Sequence, residues 1–453
     1  MTTRITESLL SAVTGGGASL IWSNSIVRRV ARHPFGVVNG DGLTRGFRSS
    51  PRGVDAMGIM GSIDALADVH AGDPYPVYKR LRETEPVYRC RSGTYLLTRY
   101  PDCRRVLTGR ELFLAPGAHR PSRGTAGHAA PVLSRVMSSQ NPPRHTRMRA
   151  AVARRFAEHV RRRQPWLSSL CDHLLEPVIE TLRHGVADMT PVAEAFPRDT
   201  IMHLLGLPRT DRELVSTLVV DIFPTSGPLP GEAGDGAAAM RRLTDYLQGE
   251  VARRRRAPGD DLTSELVRVH TARPEALPHD ELISILTGLT VAGFPQIAAG
   301  IETGIVLMIR HPERAVFLDD PVHARMFVDE LLRYDAPVQF TPAPRIPART
   351  VVIGGVTIPA GARVWPVLGA ANRDPAVYSR PDEFLPGRGG PRHLSFGGGA
   401  HYCLGAELVH LEIAMLLQRL RQRLPDLAQA QPPAQRYGRL RGFTSLPVMR
   451  TER

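Results

Sequence analysis

The sequence predicts a mainly α-helical chain carrying small antiparallel β-sheets. Three observations carry this. From Pro142 to about Arg310, apolar residues recur at helical spacing, broken by turns such as Leu205-Gly206-Leu207-Pro208 and Ala257-Pro258-Gly259-Asp260. Alternating, strand-like segments are short and lie outside that block. The stretch Asp280 to Ile309 reads as one helix of about 30 residues, apolar on most faces, as expected of a helix running through the core of a large domain.

Taken in order, residues 1–70 read as a partly flexible N-terminal extension and residues 71–453 as one domain. The extension holds Gly15-Gly16-Gly17 and the apolar run Ala18 to Trp22, with Arg28, Arg29 and Arg32 after it. A secretory leader places its basic residues first, so this run reads as a poor one; interfacial association through Trp22 is the other reading. Asp73-Pro74-Tyr75-Pro76 opens a helix. Val87-Tyr88-Arg89 and Tyr95 to Thr98 alternate as two strands around Ser92-Gly93, and Pro101-Asp102 opens a short helix ending near Thr108-Gly109. Residues 112–140 are rich in Pro, Gly, Ser and Ala without periodicity, a long loop of the kind that has a functional reason in a compact domain. After the helical block, a helix is predicted over 322–334, strands over 337–341, 351–353 and 362–366, a helix over Glu407 to Arg423, and a last strand from Phe443 to Val448.

The formal net charge is +14, much of it in the runs Arg161-Arg162-Arg163 and Arg253 to Arg256. No zinc finger, helix-turn-helix or aromatic-basic RNA-binding pattern accompanies it, so no nucleic acid is expected. A solvated helix face, or docking of an acidic partner, accounts for the charge. Four cysteines without paired spacing argue against a disulfide framework and for a reducing compartment. No membrane span is expected, and the localisation reads as cytoplasmic. Cys90, Cys103 and Cys171 read as small buried apolar residues.

Cys403 is different. It follows Phe396-Gly397-Gly398-Gly399-Ala400-His401-Tyr402 and precedes Leu404-Gly405 and a helix. Three consecutive glycines let a backbone lie flat against something bulky, and a thiolate presented from such a loop is a strong axial ligand for haem iron. The loop resembles the haem-binding signature of cytochromes P450 at Phe396, Gly399, His401, Cys403 and Gly405, five positions in ten residues. The resemblance to bacterial soluble P450s covers residues 73 to 450 and implies the P450 fold, haem b and Cys403 as its iron ligand.

Further matches follow from that resemblance. Glu330-Leu331-Leu332-Arg333 matches the family's Glu-x-x-Arg helix, 73 residues before Cys403, and Arg388 is the candidate third member of a structural Glu–Arg–Arg cluster. Asn141 to Arg149 resembles the start of the helix that crosses one haem edge. His145 and Arg149 are four apart on one helix face and, with Arg345 and His401, are candidates to bind the propionates. In the long helix, the family usually shows a small pair, one spacer, then an acid and an alcohol that deliver protons to bound dioxygen. This chain has Ala292-Gly293-Phe294-Pro295-Gln296. Ala292 and Gly293 leave room for a diatomic ligand, Pro295 kinks the helix, and Gln296 is no acid at neutral pH. Phe294, Val338 and Gln339 are expected to line the substrate pocket, as are the 112–140 loop and the helix tips around 215–240.

The resemblance implies monooxygenation of a secondary-metabolite intermediate, with two externally supplied electrons. The electrons are expected from NAD(P)H through a ferredoxin reductase and a ferredoxin, since the chain has no flavin fingerprint or iron–sulfur cysteine cluster. The missing acid–alcohol pair points to a small-molecule substrate, polar, polycyclic or peptide-derived, that helps manage protons. Two alternatives stay open: oxidative C–C or C–N coupling on a cyclic dipeptide or related scaffold without oxygen insertion, and a haem-thiolate sensor or carrier.

Overall fold

The computed structural model describes residues 72–109, 112–113, 136–222, 236–438 and 440–451. The N-terminal extension, most of the 112–140 loop and the tip at 223–235 lie outside the described residues.

Helix α1 (Tyr75–Thr84) begins at a proline, whose fixed φ suits the first helical turn, and precedes β1 (Val87–Arg89) and β2 (Tyr95–Leu97). Then come α2 (Tyr100–Thr108) and β3 (Leu112–Phe113). The helical block comprises α3 (Arg144–Arg162), α4 (Gln164–Leu182), a short β4 (Ala187–Asp188), α5 (Thr190–Leu205), α6 (Arg212–Ile222), α7 (Gly236–Arg256) and α8 (Leu262–Ala272). Its last helices are α9 (His279–Ala292), α10 (Pro295–Arg310) and α11 (Pro321–Tyr334). Strands β5 (Ile346–Pro347), β6 (Val351–Ile353), β7 (Val356–Ile358) and β8 (Val364–Pro366) lead to a four-residue helix α12 (Leu368–Ala371). After the cysteine loop come α13 (Ala406–Arg423), β9 (Leu427–Gln429), β10 (Ala434–Arg436), β11 (Gly442–Ser445) and β12 (Pro447–Arg450).

The fold is predominantly helical with small sheets. β1 pairs antiparallel with β2, as the alternation around Ser92-Gly93 predicts, but β2 also takes β8 as a parallel neighbour. The segment 337–341 is no strand; it makes single bridges, Val338 to Leu440 and Phe340 to Val367. The predicted last strand is two, β11 and β12, which pair in different sheets, with β10 and with β4 and β9.

The expected 30-residue helix divides in two. α9 ends at Ala292 and α10 starts at Pro295, with Gly293 and Phe294 between. Proline lacks the N–H that would continue the ladder and clashes with the carbonyl four residues back, so the chain restarts with Pro295 in the first turn of a new helix. By length and composition His279–Arg310 is apolar enough to cross a membrane, but most of its apolar window is buried inside the molecule. Its role is to fill the core. α10 contributes Ile297, Ile301 and Ile305 to a cluster with Phe196, Phe327 and Leu417, while α9 contributes Leu282, Leu286 and their neighbours to a second. Gly300 and Gly304 let α13 approach α10 closely: a Cβ at either would lie 2.8 or 2.7 Å from Ile413 or Leu417.

Arginines in the two runs do not share one fate, because successive residues on a helix point 100° apart. Arg161 and Arg162 are exposed, whereas Arg163 is buried with its Nη1 2.9 Å from His159 Nδ1. In the second run Arg253 pairs with Glu250 and Arg254 with Asp261, leaving Arg255 and Arg256 exposed. Cys90, Cys103 and Cys171 are buried, and burial pushes the Cys171 thiol up to about 12.

Candidate functional site

The loop before Cys403 is shaped by its glycines. Gly397 and Gly399 have φ of +70° and +62°, where side chains are strained, and a Cβ on Gly399 would lie 2.8 Å from the Leu107 carbonyl oxygen of α2. The loop therefore lies flat on the C-terminal turn of α2. Cys403 N–H donates to the Phe396 carbonyl at 2.9 Å, which closes the loop and fixes the cysteine just ahead of α13. Burial pushes the Cys403 thiol up, opposed by the Gly405 amide and by Arg149. A Cβ on Gly405 would meet nothing within 4 Å, so the space beside this end of the loop is open.

Four basic side chains gather beside the loop. The rings of His145, from α3, and His401 are 4.2 Å apart between centroids and tilted by 46°. Burial, with Arg149 and Arg345, pushes His145 down; burial, with Arg345, His145 and Arg149, pushes His401 down to about 3. Arg345 is 6% exposed and burial lowers it to about 10. His401 Nδ1 is buried without a hydrogen-bond partner. Among the described residues no carboxylate appears among the causes that shift His145, Arg345 or His401. Two guanidiniums, an orphaned ring nitrogen and open space beside a half-buried thiol suit an anionic group bound next to Cys403. The two carboxylates of haem fit that charge, and the thiol fits its iron.

The Glu330, Arg333 and Arg388 side chains meet. Arg333 makes two bonds to Glu330, Nε to Oε2 at 2.7 Å and Nη2 to Oε1 at 2.9 Å, and Arg388 Nε lies 3.0 Å from both oxygens. Leu385 N–H adds a bond to Oε1 at 2.7 Å. Arg333 also reaches the carbonyls of Asn372, Pro381 and Glu383. This cluster ties α11 to the segment leading to the cysteine loop, and its groups are occupied by one another.

At the break between α9 and α10, Ala292 is exposed and Gly288, Leu289, Pro295 and Gln296 are half-buried, although most of the surrounding helix is buried. Positions 288, 289 and 292 share one face of α9, and 295 and 296 open α10. Gln296 Oε1 is buried with no partner. Three of the residues expected here are placed as follows. The space released by Gly293 is filled by Ile201 of α5, whose Cγ1 would lie 2.5 Å from a Cβ, so only Ala292 of that small pair faces the open side. Phe294 is 5% exposed and packs with the apolar cluster of α9, at the break between the two helices. Gln339 is fully buried; its Nε2 donates to the Ala336 carbonyl at 2.6 Å, and its Oε1 would lie 2.1 Å from a Cβ on Gly369. Val338, on the opposite side of the extended backbone, is half-buried.

A groove of about 530 Å³ runs along the outer side of α13, lined among others by Phe156, Arg161, Arg325, Leu404, Leu411 and Arg419. Arg147 of α3 is engaged with Glu281 of α9. The sequence showed no sign of Asp329, His393 and His410, which converge beside Phe396.

Comparison with known proteins agrees with this site. The family model described as Cytochrome P450 matches residues 323–436. Cytochrome P450 BJ-3 of Bradyrhizobium diazoefficiens is 34% identical over 401 residues, covering 83% of this chain and 93% of that protein. Cytochrome P450 monooxygenase PikC of Streptomyces venezuelae is 31% identical, covering 88% and 97%. Among solved structures, the cytochrome P450 enzyme CxnD, for C–S bond formation in chuangxinmycin biosynthesis, superposes with a TM-score of 0.74 at 28% identity, covering 84% of this chain and 96% of that one.

Proposed function

This chain belongs to the cytochrome P450 family, and on that premise we propose that it is a monooxygenase that tailors a polar, polycyclic or peptide-derived secondary metabolite. The observation that carries the reading is the cluster of Arg149, Arg345, His145 and His401 beside the half-buried Cys403: two guanidiniums with two imidazoles whose protonated forms are disfavoured, one of them with an orphaned nitrogen. Haem b, held through Cys403 with its propionates on those four residues, supplies dioxygen activation when bound.

The rest of the chemistry falls to this chain's own groups. Ala292 keeps one side of the helix break open next to the reacting centre. Pro295 removes a backbone N–H there and Gln296 presents an amide whose Oε1 has no protein partner. Neither releases a proton at neutral pH, so a substrate hydroxyl, amine or ordered water accepted by Gln296 must carry protons into the site. Phe396 and the glycine loop shield the thiol side, and Val338 lines the substrate side.

Electrons arrive from NAD(P)H through a ferredoxin reductase and a small acidic ferredoxin. The groove along α13 is the docking place we favour, since Leu404 lies at its edge directly after Cys403 and the exposed Arg161 lines it, Arg325 and Arg419 being paired with Glu407 and Asp172.

A second reading, oxidative coupling without oxygen insertion, is favoured by Pro295 and Gln296 in place of an acid and an alcohol, and by the likeness to a P450 named for C–S bond formation. Turnover of the native substrate in labelled dioxygen separates the two. Label in the product supports monooxygenation. A new bond, two hydrogens fewer and no label would replace it with coupling.

A further inference from the structure

Asp329 of α11, His393 ahead of the glycine loop and His410 of α13 enclose the ring of Phe396. The His393 and His410 rings lie 5.3 and 5.2 Å from it, centroid to centroid. His410 Nε2 is 2.7 Å from Asp329 Oδ1, and its Nδ1 is 2.8 Å from the Ala406 carbonyl oxygen. A carboxylate and a carbonyl only accept, so both ring nitrogens of His410 are placed to donate. His393 is arranged differently. Its Nδ1 accepts from Ser395 N–H at 3.2 Å while its Nε2 lies 3.4 Å from Asp329 Oδ1, which assigns it as neutral with hydrogen on Nε2. Burial pushes the Asp329 carboxyl up, but His393 and His410 together outweigh it and hold it well below the usual carboxylate range.

Phe396 is in turn the residue whose carbonyl anchors Cys403 N–H at 2.9 Å, and its ring also meets Tyr402 at 6.0 Å. A chain of contacts therefore runs from a half-exposed carboxylate, through a buried imidazole and an aromatic ring, to the cysteine. His410 also lines the groove along α13. The other charges facing it are Glu407 on its own helix, itself bound by Arg325 of α11 through two bonds at 2.9 Å, and Arg333, which acts on His393.

We propose that His410 is a positioning residue for the Cys403 ligand: its cation, oriented by Asp329 and pressed against Phe396, holds the loop and offsets negative charge on the thiolate side. The proposal rests on Cys403 being the haem ligand. Charge offset makes one-electron reduction of the bound haem easier, since the reduced state carries one more electron beside the thiolate. The cation also sits against an aromatic ring, an arrangement favourable to both.

The test is the midpoint potential of the haem-loaded protein, with the spectrum of its reduced, carbon monoxide-bound form as the check on ligation. His410→Leu leaves the Asp329 carboxylate without its cation and should lower the equilibrium constant for reduction about tenfold, which is about 59 mV for one electron. His410→Arg retains the charge and should stay near the native value. The double variant Asp329→Asn with His410→Leu removes both charges and should recover most of the shift. Packing alone predicts otherwise: the double variant would be no closer to native than the single. That result, or equal potentials in the native protein and His410→Leu, overturns the role given to His410. If His410→Leu does not fold, a His410→Arg potential more than tenfold in equilibrium constant from native overturns it too. A native protein without thiolate ligation in its spectrum would instead remove the assignment of Cys403.

Discussion

Replacing Arg345 with leucine should move the haem-free and haem-bound protein in opposite directions. In the haem-free fold the guanidinium is 6% exposed and acts repulsively on His145 and His401. Burial takes it from 12.5 down to about 10, which corresponds to about 3 kcal/mol of cost for keeping the charge there. The sign is fixed: the charged form is disfavoured in the fold, the cost is fully present below the folded value, shrinks between the folded and unfolded values, and is gone above the unfolded one. Across neutral pH it is therefore constant. Leucine keeps part of the apolar stem and removes the charge, so the haem-free variant should be more stable by about 1–3 kcal/mol. With haem bound, the same guanidinium gains a carboxylate, and a hydrogen bond to a charged group is worth about 1.5–3 kcal/mol. Haem should then leave the variant roughly ten to a hundred times more readily. Denaturant unfolding of the haem-free protein gives the first quantity and haem transfer to apomyoglobin the second. Native-like haem transfer together with unchanged haem-free stability would refute the argument.

Other outcomes follow from the same geometry. His401 stands at about 3 in the fold, below its ordinary 6.5, so as pH falls through that value the unfolded chain takes up a proton that the fold refuses. Haem-free stability should drop by about 2 kcal/mol from this group between pH 6.5 and 5, and His401→Phe should abolish that part of the slope in denaturant midpoints; an identical slope contradicts the assignment. Glu330→Gln leaves Arg333, 2% exposed, and Arg388 without their carboxylate, and should cost about 3–5 kcal/mol in unfolding free energy. A loss under about 0.5 kcal/mol would mean the cluster does not brace the fold. First-electron transfer from a ferredoxin should slow as salt rises from roughly 50 to 300 mM and slow again in Arg161→Glu, while substrate binding holds; a salt-independent rate argues against the groove.

The parts of the site legible in the sequence were those confined to one loop or one helix. Phe396 to Gly405 is contiguous, Glu330 and Arg333 are three apart, and Pro295 stops a helix by its own covalent structure. Legibility ended where the answer depends on which way a backbone turns. The segment 337–341 was expected as a strand, but near Gln339 the chain makes only single bridges, so no strand pairing marks which of its residues are buried, and Gln339 sits against Gly369. The direction of Phe294 was not legible, because its position within a break, and not its hydrophobicity, decides it. Asp329, His393 and His410 were invisible for another reason. They come from three separate segments with no spacing that marks them, and only the packing of α11 and α13 around Phe396 brings them together.

The most direct measurement is the absorption spectrum of the reduced, carbon monoxide-bound protein before and after Cys403→Ala. The native chain should show the red-shifted Soret band of thiolate-ligated haem, and the variant should lose that band, either with the haem itself or with the thiolate character. A native-like band in Cys403→Ala would contradict the placement of haem on this loop and everything built on it.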